Sequence, residues 1–325
     1  MENLLKDIKD LKVLVMGDCM IDRYIWGKVD RISPEAPVPV LNWESNEDRL
    51  GGAANVALNA KQFDLEVAIC GICGQDNNGD LLLDLAKEAG IQNDFIYRSE
   101  DRPTSVKTRV LSGQQHLLRV DRESTQALND DELEDLQSCF DYALKHFRPD
   151  ILILQDYNKG LLVPRLIEHV LQTTAAYDTF VAVDPKKHNF SLYKKVDLFK
   201  PNLKETIQAL QYTPEIHQRG LDEAAKRLNS FLSAKNIMIT LSEHGIYYTD
   251  NSGNSGIAPT QSRAIVDVCG AGDAVLTVAA LALKVGYSLK ETAKLSNIAG
   301  GQVCETVGVS TVDVDQLFRE LNGKG

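Results

Sequence analysis

The chain has 325 residues, 43% of them hydrophobic and 25% charged, with a formal net charge of −11. That size and balance suit one soluble α/β body with an appendage. The acidic surplus argues against a general nucleic-acid or membrane-surface binder, and an anionic substrate would need basic side chains gathered locally.

Residues 3–10 place Leu4, Leu5 and Ile8 on one face of a short helix. Lys12 to Met16 reads as the first strand and ends in Gly17-Asp18-Cys19-Met20-Ile21-Asp22. Between Arg23 and Arg49 the pattern becomes extended and edge-like, with Pro34, Pro37 and Pro39, which a central strand would not tolerate. Gly51-Gly52 opens a helix from Ala53. A strand at 66–71 leads through 75–79 into a helix at 80–89, closed by Gly90. Residues 104–122 read as a β-hairpin about Ser112-Gly113.

From residue 130 onward helices and strands alternate: helix 130–147, strand 150–156, helix 164–176 with Pro164 at its start, and strand 179–184. Strand 196–200, helices 203–211 and 221–234, and strand 236–241 follow. After the 250–256 turn region, the β-branched run Ala264–Val268 predicts a buried strand. It enters the glycine turn Cys269-Gly270-Ala271-Gly272 and then a long buried helix, and further helix completes the chain. Alternation of this kind means a mostly parallel sheet covered by helices. The off-pattern segments, about 19–48 and 104–122, predict a small separate sheet, so residues 1–325 read as one domain with a β lid.

Six cysteines are scattered, mostly in apolar contexts. Cys70 and Cys73 have redox-motif spacing but sit in an apolar run that reads as a buried strand, and no zinc-site spacing occurs. The N-terminus has no apolar signal core and no 18-residue apolar run follows, so a reducing cytoplasm is expected.

In open parallel sheets ligands bind at the carboxyl ends of strands. Asp18, Asp22, Asp156, Asp184, Asn202, Ser242-Glu243 and Asp267 fall at such ends. The turn before Asp273 aims backbone N–H groups at one spot beside a helix N-terminus, an anion site made of main chain. Asp273 in its mouth reads either as a first-turn helix acid, worth about 1 kcal/mol, or as a general base; spacing alone leaves both open. No G-x-x-x-x-G-K-[ST] run occurs, and Val275 stands where a dinucleotide fingerprint needs a third glycine. His188 and His244 have no partner at triad spacing, and aromatics do not interleave with basic residues as nucleic-acid recognition would require.

Asp267-Val268-Cys269-Gly270-Ala271-Gly272-Asp273 closely resembles the signature of the ribokinase-like (phosphofructokinase-B) carbohydrate kinases. The resemblance implies an α/β ribokinase-like three-layer fold with a mostly parallel central sheet and a small β-sheet lid. It makes Asp273 the catalytic base and Gly270, Ala271 and Gly272 the anion hole. Asp22 would bind sugar hydroxyls, Gly51 and Gly52 with Asn55 would bring backbone close to the sugar, and Asp184 would join the substrate set. Asn202-Leu203-Lys204-Glu205 matches the N-x-x-E element, in which Asn202 and Glu205 order waters around Mg2+ on ATP; the same spacing is an ordinary capping box. Ser242, Glu243 and Gly245 resemble the nucleotide-side loop. Asn297 and Gly300-Gly301 would lie near adenine, with tight helix packing an equal account of the two glycines.

Gly17-Asp18, Asp22-Arg23-Tyr24, the stretch from Arg31 to Val40, Asp156 to Gly160 and Asp184-Pro185-Lys186 narrow the resemblance to the heptose 7-phosphate kinases. This implies ATP-dependent phosphorylation of the anomeric hydroxyl of D-glycero-D-manno-heptose 7-phosphate, giving the β-1,7-bisphosphate for ADP-heptose and lipopolysaccharide core synthesis. Lys107, Arg109, Lys159 and Lys186 are the candidates for the 7-phosphate, with Lys159 and Lys186 expected to reach one pocket. A homodimer through the lid is implied, covering Val, Leu, Tyr24 and Trp26 side chains that would otherwise form an apolar patch. Many such relatives carry a C-terminal nucleotidyltransferase domain; none is expected here. Cys269 stands where Thr or Ser is usual, which leaves a monovalent-cation role nearby unsupported. A kinase of another sugar, or a regulator that binds a sugar phosphate without catalysis, are the alternatives; the intact glycine turn and Asp273 speak against the regulator.

Overall fold

The computed structural model describes residues 4–113 and 115–321. Asn3 of the expected first helix and Gln114 of the expected hairpin lie outside the described residues. The chain runs α1 (Leu4–Ile8), β1 (Lys12–Gly17), β2 (Cys19–Ile32), β3 (Pro39–Gly52), α2 (Ala53–Lys61), β4 (Glu66–Gly74), α3 (Asn77–Glu88), β5 (Gln92–Ser99), β6 (Ser105–Ser112) and β7 (Gln115–Arg122). It continues through α4 (Asp130–His146), β8 (Ile151–Gln155), α5 (Pro164–Thr174), β9 (Phe180–Asp184), β10 (Leu198–Phe199), α6 (Leu203–Leu210), α7 (Gln218–Leu232) and β11 (Asn236–Thr240). It ends with β12 (Ile246–Asp250), β13 (Ser255–Ala258), α8 (Ala271–Lys284), α9 (Leu289–Val303) and α10 (Val314–Leu321).

Nine strands form one sheet in the order β13-β12-β11-β10-β9-β8-β1-β4-β5. Pairing is parallel from β11 to β5, and β12 and β13 add an antiparallel edge. Successive strand residues face opposite sides, and β1 shows the consequence. Val13 and Val15 pack with α2, α8 and α9, while Leu14 and Met16 pack with α4, α5 and α7. Both cores are buried, giving three layers, with each enclosed aliphatic side chain contributing about 1.5–3 kcal/mol.

A second sheet, ordered β3-β2-β6-β7, stands apart. The roots of β2 and β3 are buried in the body and their far ends are exposed. Ile32, Val38, Trp43, Leu118 and Val120 of this sheet and its connection are exposed. Tyr24 is not part of that apolar surface, contrary to expectation. It is fully buried, stacks on Trp26 with ring centroids 5.5 Å apart, and its hydroxyl accepts from Val309 N at 2.8 Å. Tyr24 thus joins the small sheet to the body.

Two segments depart from the sequence pattern. Ala264–Val268 is not a buried strand: no regular structure spans 259–268, and Ile265, Val266 and Val268 are exposed. The sheet already ends at β13, and the N–H groups of Val266 and Asp267 donate instead to Cys304 O. Conversely, 92–99 forms the edge strand β5, whose polar, half-exposed sequence gave no period. Among the described residues no helix is long and apolar enough to cross a membrane, and all six cysteines are unpaired thiols.

Candidate active site

The carboxyl ends of β8, β9 and β10 bring Gln155, Asp184 and Lys200 to the start of α8. Gly270 caps that helix with φ 82°, a left-handed conformation that a side chain would strain. No side chain caps α8; Ala271 N makes a long 3.4 Å bond to Val268 O, and the N–H groups of Gly272 and Asp273 are left for a ligand and carry the helix's partial positive charge.

Asp273 lies in that first turn, yet its side chain serves other elements. Its Oδ2 accepts from Asn55 Nδ2 at 2.7 Å, and its Oδ1 accepts from Tyr157 OH at 2.9 Å and Gln155 Nε2 at 3.3 Å. Those donors come from α2, the end of β8 and the loop beyond it. Burial pushes the Asp273 carboxyl up to about 6; Asp184 adds to the rise, while Asn55, Tyr157 and Lys200 oppose it. A carboxylate so placed, beside an anion-binding turn, can accept a proton from a hydroxyl near neutral pH.

Next to it runs a chain of alternating charges. Asp184 Oδ2 meets Lys200 Nζ at 2.9 Å. Lys186 Nζ lies 2.6 Å from Glu205 Oε1 and 3.7 Å from Asp184 Oδ1. Burial alone would raise the Asp184 carboxyl, but Lys200 and Lys186 together hold it below the ordinary range. A Cβ on Gly272 would sit 3.7 Å from both Asp184 Oδ2 and Lys200 Nζ, so this pair borders the anion turn. Asn202 and Glu205 form a capping box on α6: Glu205 N donates to Asn202 Oδ1 and Asn202 N to Glu205 Oε2, each at 2.8 Å. Lys204 is exposed, and Leu203 packs partly against the core. Among the described residues no three His, Cys, Asp or Glu side chains converge as a metal cluster. With Lys186 on one Glu205 oxygen and Asn202 N on the other, direct protein ligation of a cation does not fit, whereas contact through water does.

The small sheet supplies the opposite wall. Asp22 and Arg109 are buried and ion-paired. A Cβ on Gly51 would fall 2.2 Å from Asp22 Oδ2, so glycine is required for this approach. Gly52 is the N-cap of α2, the helix that presents Asn55. Asn55 is fully buried on Asp273. Glu123 bridges Lys159, at 2.5 Å, and Lys107, at 3.3 Å. Lys159 and Lys186 therefore belong to separate networks, one at the small sheet and one beside Asp273.

A cavity of about 380 Å³ opens on the other side of the turn. Ser242, Glu243, Gly245 and Asn297 line it together with Ala271 and Gly272 of the turn. The exposed Ile265 and Val268 complete it, which accounts for an apolar run with no place in the sheet. Wider grooves of about 1020 and 860 Å³ lie elsewhere, against α5 with the amino ends of β9 and β10 and against α1 with 311–315. Neither includes Asp273. Sequence reasoning did not single out Tyr157, Gln155 or Lys200 as site residues. Two of them carried a signal: Tyr157 lies within the Asp156–Gly160 stretch of the family resemblance, and Lys200, the last residue before the Pro201-Asn202 element, is a lysine at the carboxyl end of an apolar strand.

Residues 10–316 match the family described as pfkB family carbohydrate kinase. The chain is 38% identical to the "Bifunctional protein HldE" of Methylobacillus flagellatus over 312 residues, 96% of this chain and 63% of that protein. It is 37% identical to the protein of the same name from Trichlorobacter lovleyi over 321 residues, 99% of this chain and 65% of that protein. The chain thus spans a little under two thirds of the length of these curated relatives. In fold it is similar to Phosphofructokinase-2 from Escherichia coli in complex with substrates and products, with a TM-score of 0.79 at 17% identity, covering 97% of this chain and 99% of the other. Arabidopsis thaliana Ribokinase complexed with Ribose and ATP aligns with a TM-score of 0.71 at 18% identity, covering 96% and 99%.

Proposed function

Because the chain belongs to the pfkB family of carbohydrate kinases, we propose that it transfers the γ-phosphoryl group of ATP to the anomeric hydroxyl of D-glycero-D-manno-heptose 7-phosphate. The observation that carries this reading is Asp273: a buried carboxylate with three side-chain donors, set at an uncapped helix start. In the reaction, Asp273 takes the hydroxyl proton as the sugar oxygen bonds to the γ-phosphorus. The bond from that phosphorus to the bridging oxygen breaks, and ADP leaves with the electron pair. The N–H groups of the Gly270–Gly272 turn hold charge on the transferring group. Asn202 and Glu205 would hold the waters of a Mg2+ ion accompanying the nucleotide, which would supply neutralisation of phosphate charge.

The cavity beside Val268 and Asn297 takes the nucleotide, and the small sheet closes over the sugar and keeps water out. Lys107 and Lys159, sharing Glu123, are the basic pair suited to the sugar's own phosphate; Lys186 serves the transferring phosphates. The heptose assignment rests on the Arg31–Val40 stretch and its companions. The exposed Ile32, Trp43, Leu118 and Val120 suit a homodimer through the small sheet, working in the cytoplasm.

A substrate panel with ADP release, and the product mapped by phosphorus NMR, tests the assignment. Heptose 7-phosphate should give the highest kcat/KM and a new anomeric phosphate. A better rate with another sugar phosphate would move the specificity, and no ADP release with any sugar would favour a non-catalytic binder.

A further inference from the structure

The donors on Asp273 are unevenly shared. A carboxylate oxygen has two in-plane lone pairs. Oδ1 receives Tyr157 OH at 2.9 Å and Gln155 Nε2 at 3.3 Å, while Oδ2 receives Asn55 Nδ2 at 2.7 Å. Among the described residues, one lone pair of Oδ2 is left over. We propose that Tyr157 is the positioning residue of this base, filling Oδ1 together with Gln155 so that the acceptor hydroxyl can deliver its proton only to Oδ2. This rests on the reading of Asp273 as the base.

Tyr157 is held firmly enough for that role. Its backbone N–H donates to the buried Asp18 Oδ2 at 2.9 Å, and the N–H groups of Lys159 and Leu161 bind the same carboxylate at 3.1 and 3.4 Å. Asn158 N donates to Asp156 Oδ1 at 2.7 Å and takes φ 55°, fixing the turn that aims the ring. The ring is only partly buried, as a cleft wall should be, and Lys186 Nζ lies 5.5 Å from its centroid. The hydroxyl itself is buried against Asp273, with the backbone of the residue anchored from behind.

The phenol also bears on when the base is charged. Donation to the ionised form favours ionisation, so removing the hydroxyl raises the pH at which Asp273 loses its proton. The other charged groups facing this pair are Asp184 from β9, Lys200 after β10, Asp22 from β2, and Lys186 beside the ring. Tyr157→Phe leaves all four in place.

The experiment is kcat and KM across pH for Tyr157→Phe, wild type and Asp273→Asn, in the full chain with MgATP and the best sugar phosphate from the panel. For Tyr157→Phe, kcat at neutral pH should fall about tenfold, with KM for both substrates within about twofold. Its acid limb should move up by about one pH unit, so that the loss shrinks as pH rises. Ionisation of the substrate phosphates is common to the enzymes and cancels in the comparison. An acid limb that superimposes on wild type overturns the inference, whether kcat is unchanged or is lost together with a raised KM or a lowered melting temperature. Asp273→Asn should be slow at every pH; near-wild-type turnover there would remove the base assignment itself, which separates the two failures.

Discussion

Asp18 and Asp273 are two carboxylates about equally buried, at 4% and 3% exposure, and burial pushes each up to about 6. Each accepts three hydrogen bonds. The difference lies in the donors. Asp18 is held by the main chain of Tyr157, Lys159 and Leu161, so it fixes a loop. Asp273 is held by the side chains of Asn55, Gln155 and Tyr157, which can rotate or exchange donor for acceptor. A raised pKa in a cleft does not by itself identify a base. What matters is whether the partners can adjust when the proton arrives.

The largest expected contrast is in stability. Asp18→Asn turns an amide toward backbone donors that cannot reorient, leaving up to two of them unpaired at about 1–3 kcal/mol each, so its melting temperature should fall. Asp273→Asn meets side chains that can flip, and it removes a buried charge. The rise from 3.8 to about 6 corresponds to about 3 kcal/mol at most. The sign follows from proton binding: between those pH values the folded state binds the proton more tightly than the unfolded chain. Wild type should therefore lose stability relative to Asp273→Asn as pH rises from about 4 to above 6, the gap growing across that window in denaturant titrations. The same linkage applies to Asp18, so the melting temperature separates the two: a fall for Asp273→Asn as large as that for Asp18→Asn would put both carboxylates in one class.

A smaller effect separates the two lysine networks. Lys159→Ala should raise the KM for a phosphorylated sugar about tenfold, the weight of a charge-assisted hydrogen bond, and leave the KM for ATP nearly unchanged. Lys186→Ala, which frees Glu205 Oε1, should act instead on ATP and on kcat. Steady-state kinetics with both substrates varied would show the reverse assignment directly.

Much of this is legible in the sequence alone. The turn at 269–272, Asp273, and the alternation that builds the parallel sheet are local patterns, and local patterns survive folding. The run Ala264–Val268 was misread because an apolar β-branched stretch looks the same whether it enters a sheet or lines a cavity; Ile265 and Val268 do the latter. Lys159 and Lys186 follow adjacent strands, β8 and β9, yet adjacency does not fix where a long side chain turns. Their acidic partners, Glu123 and Glu205, decide that, and each comes from a different element, 36 and 19 residues away. Tyr157 and Gln155 meet Asp273 across more than a hundred residues, a contact that no spacing rule reports.

The central claim is that the adjustable carboxylate is the one that moves a proton. The most direct measurement is the turnover number of Asp273→Asn for ADP release, with MgATP and sugar phosphate saturating. General-base contributions are about 10²–10⁴-fold, so turnover should fall at least about a hundredfold while the protein remains folded. Turnover near the wild-type rate would contradict the account.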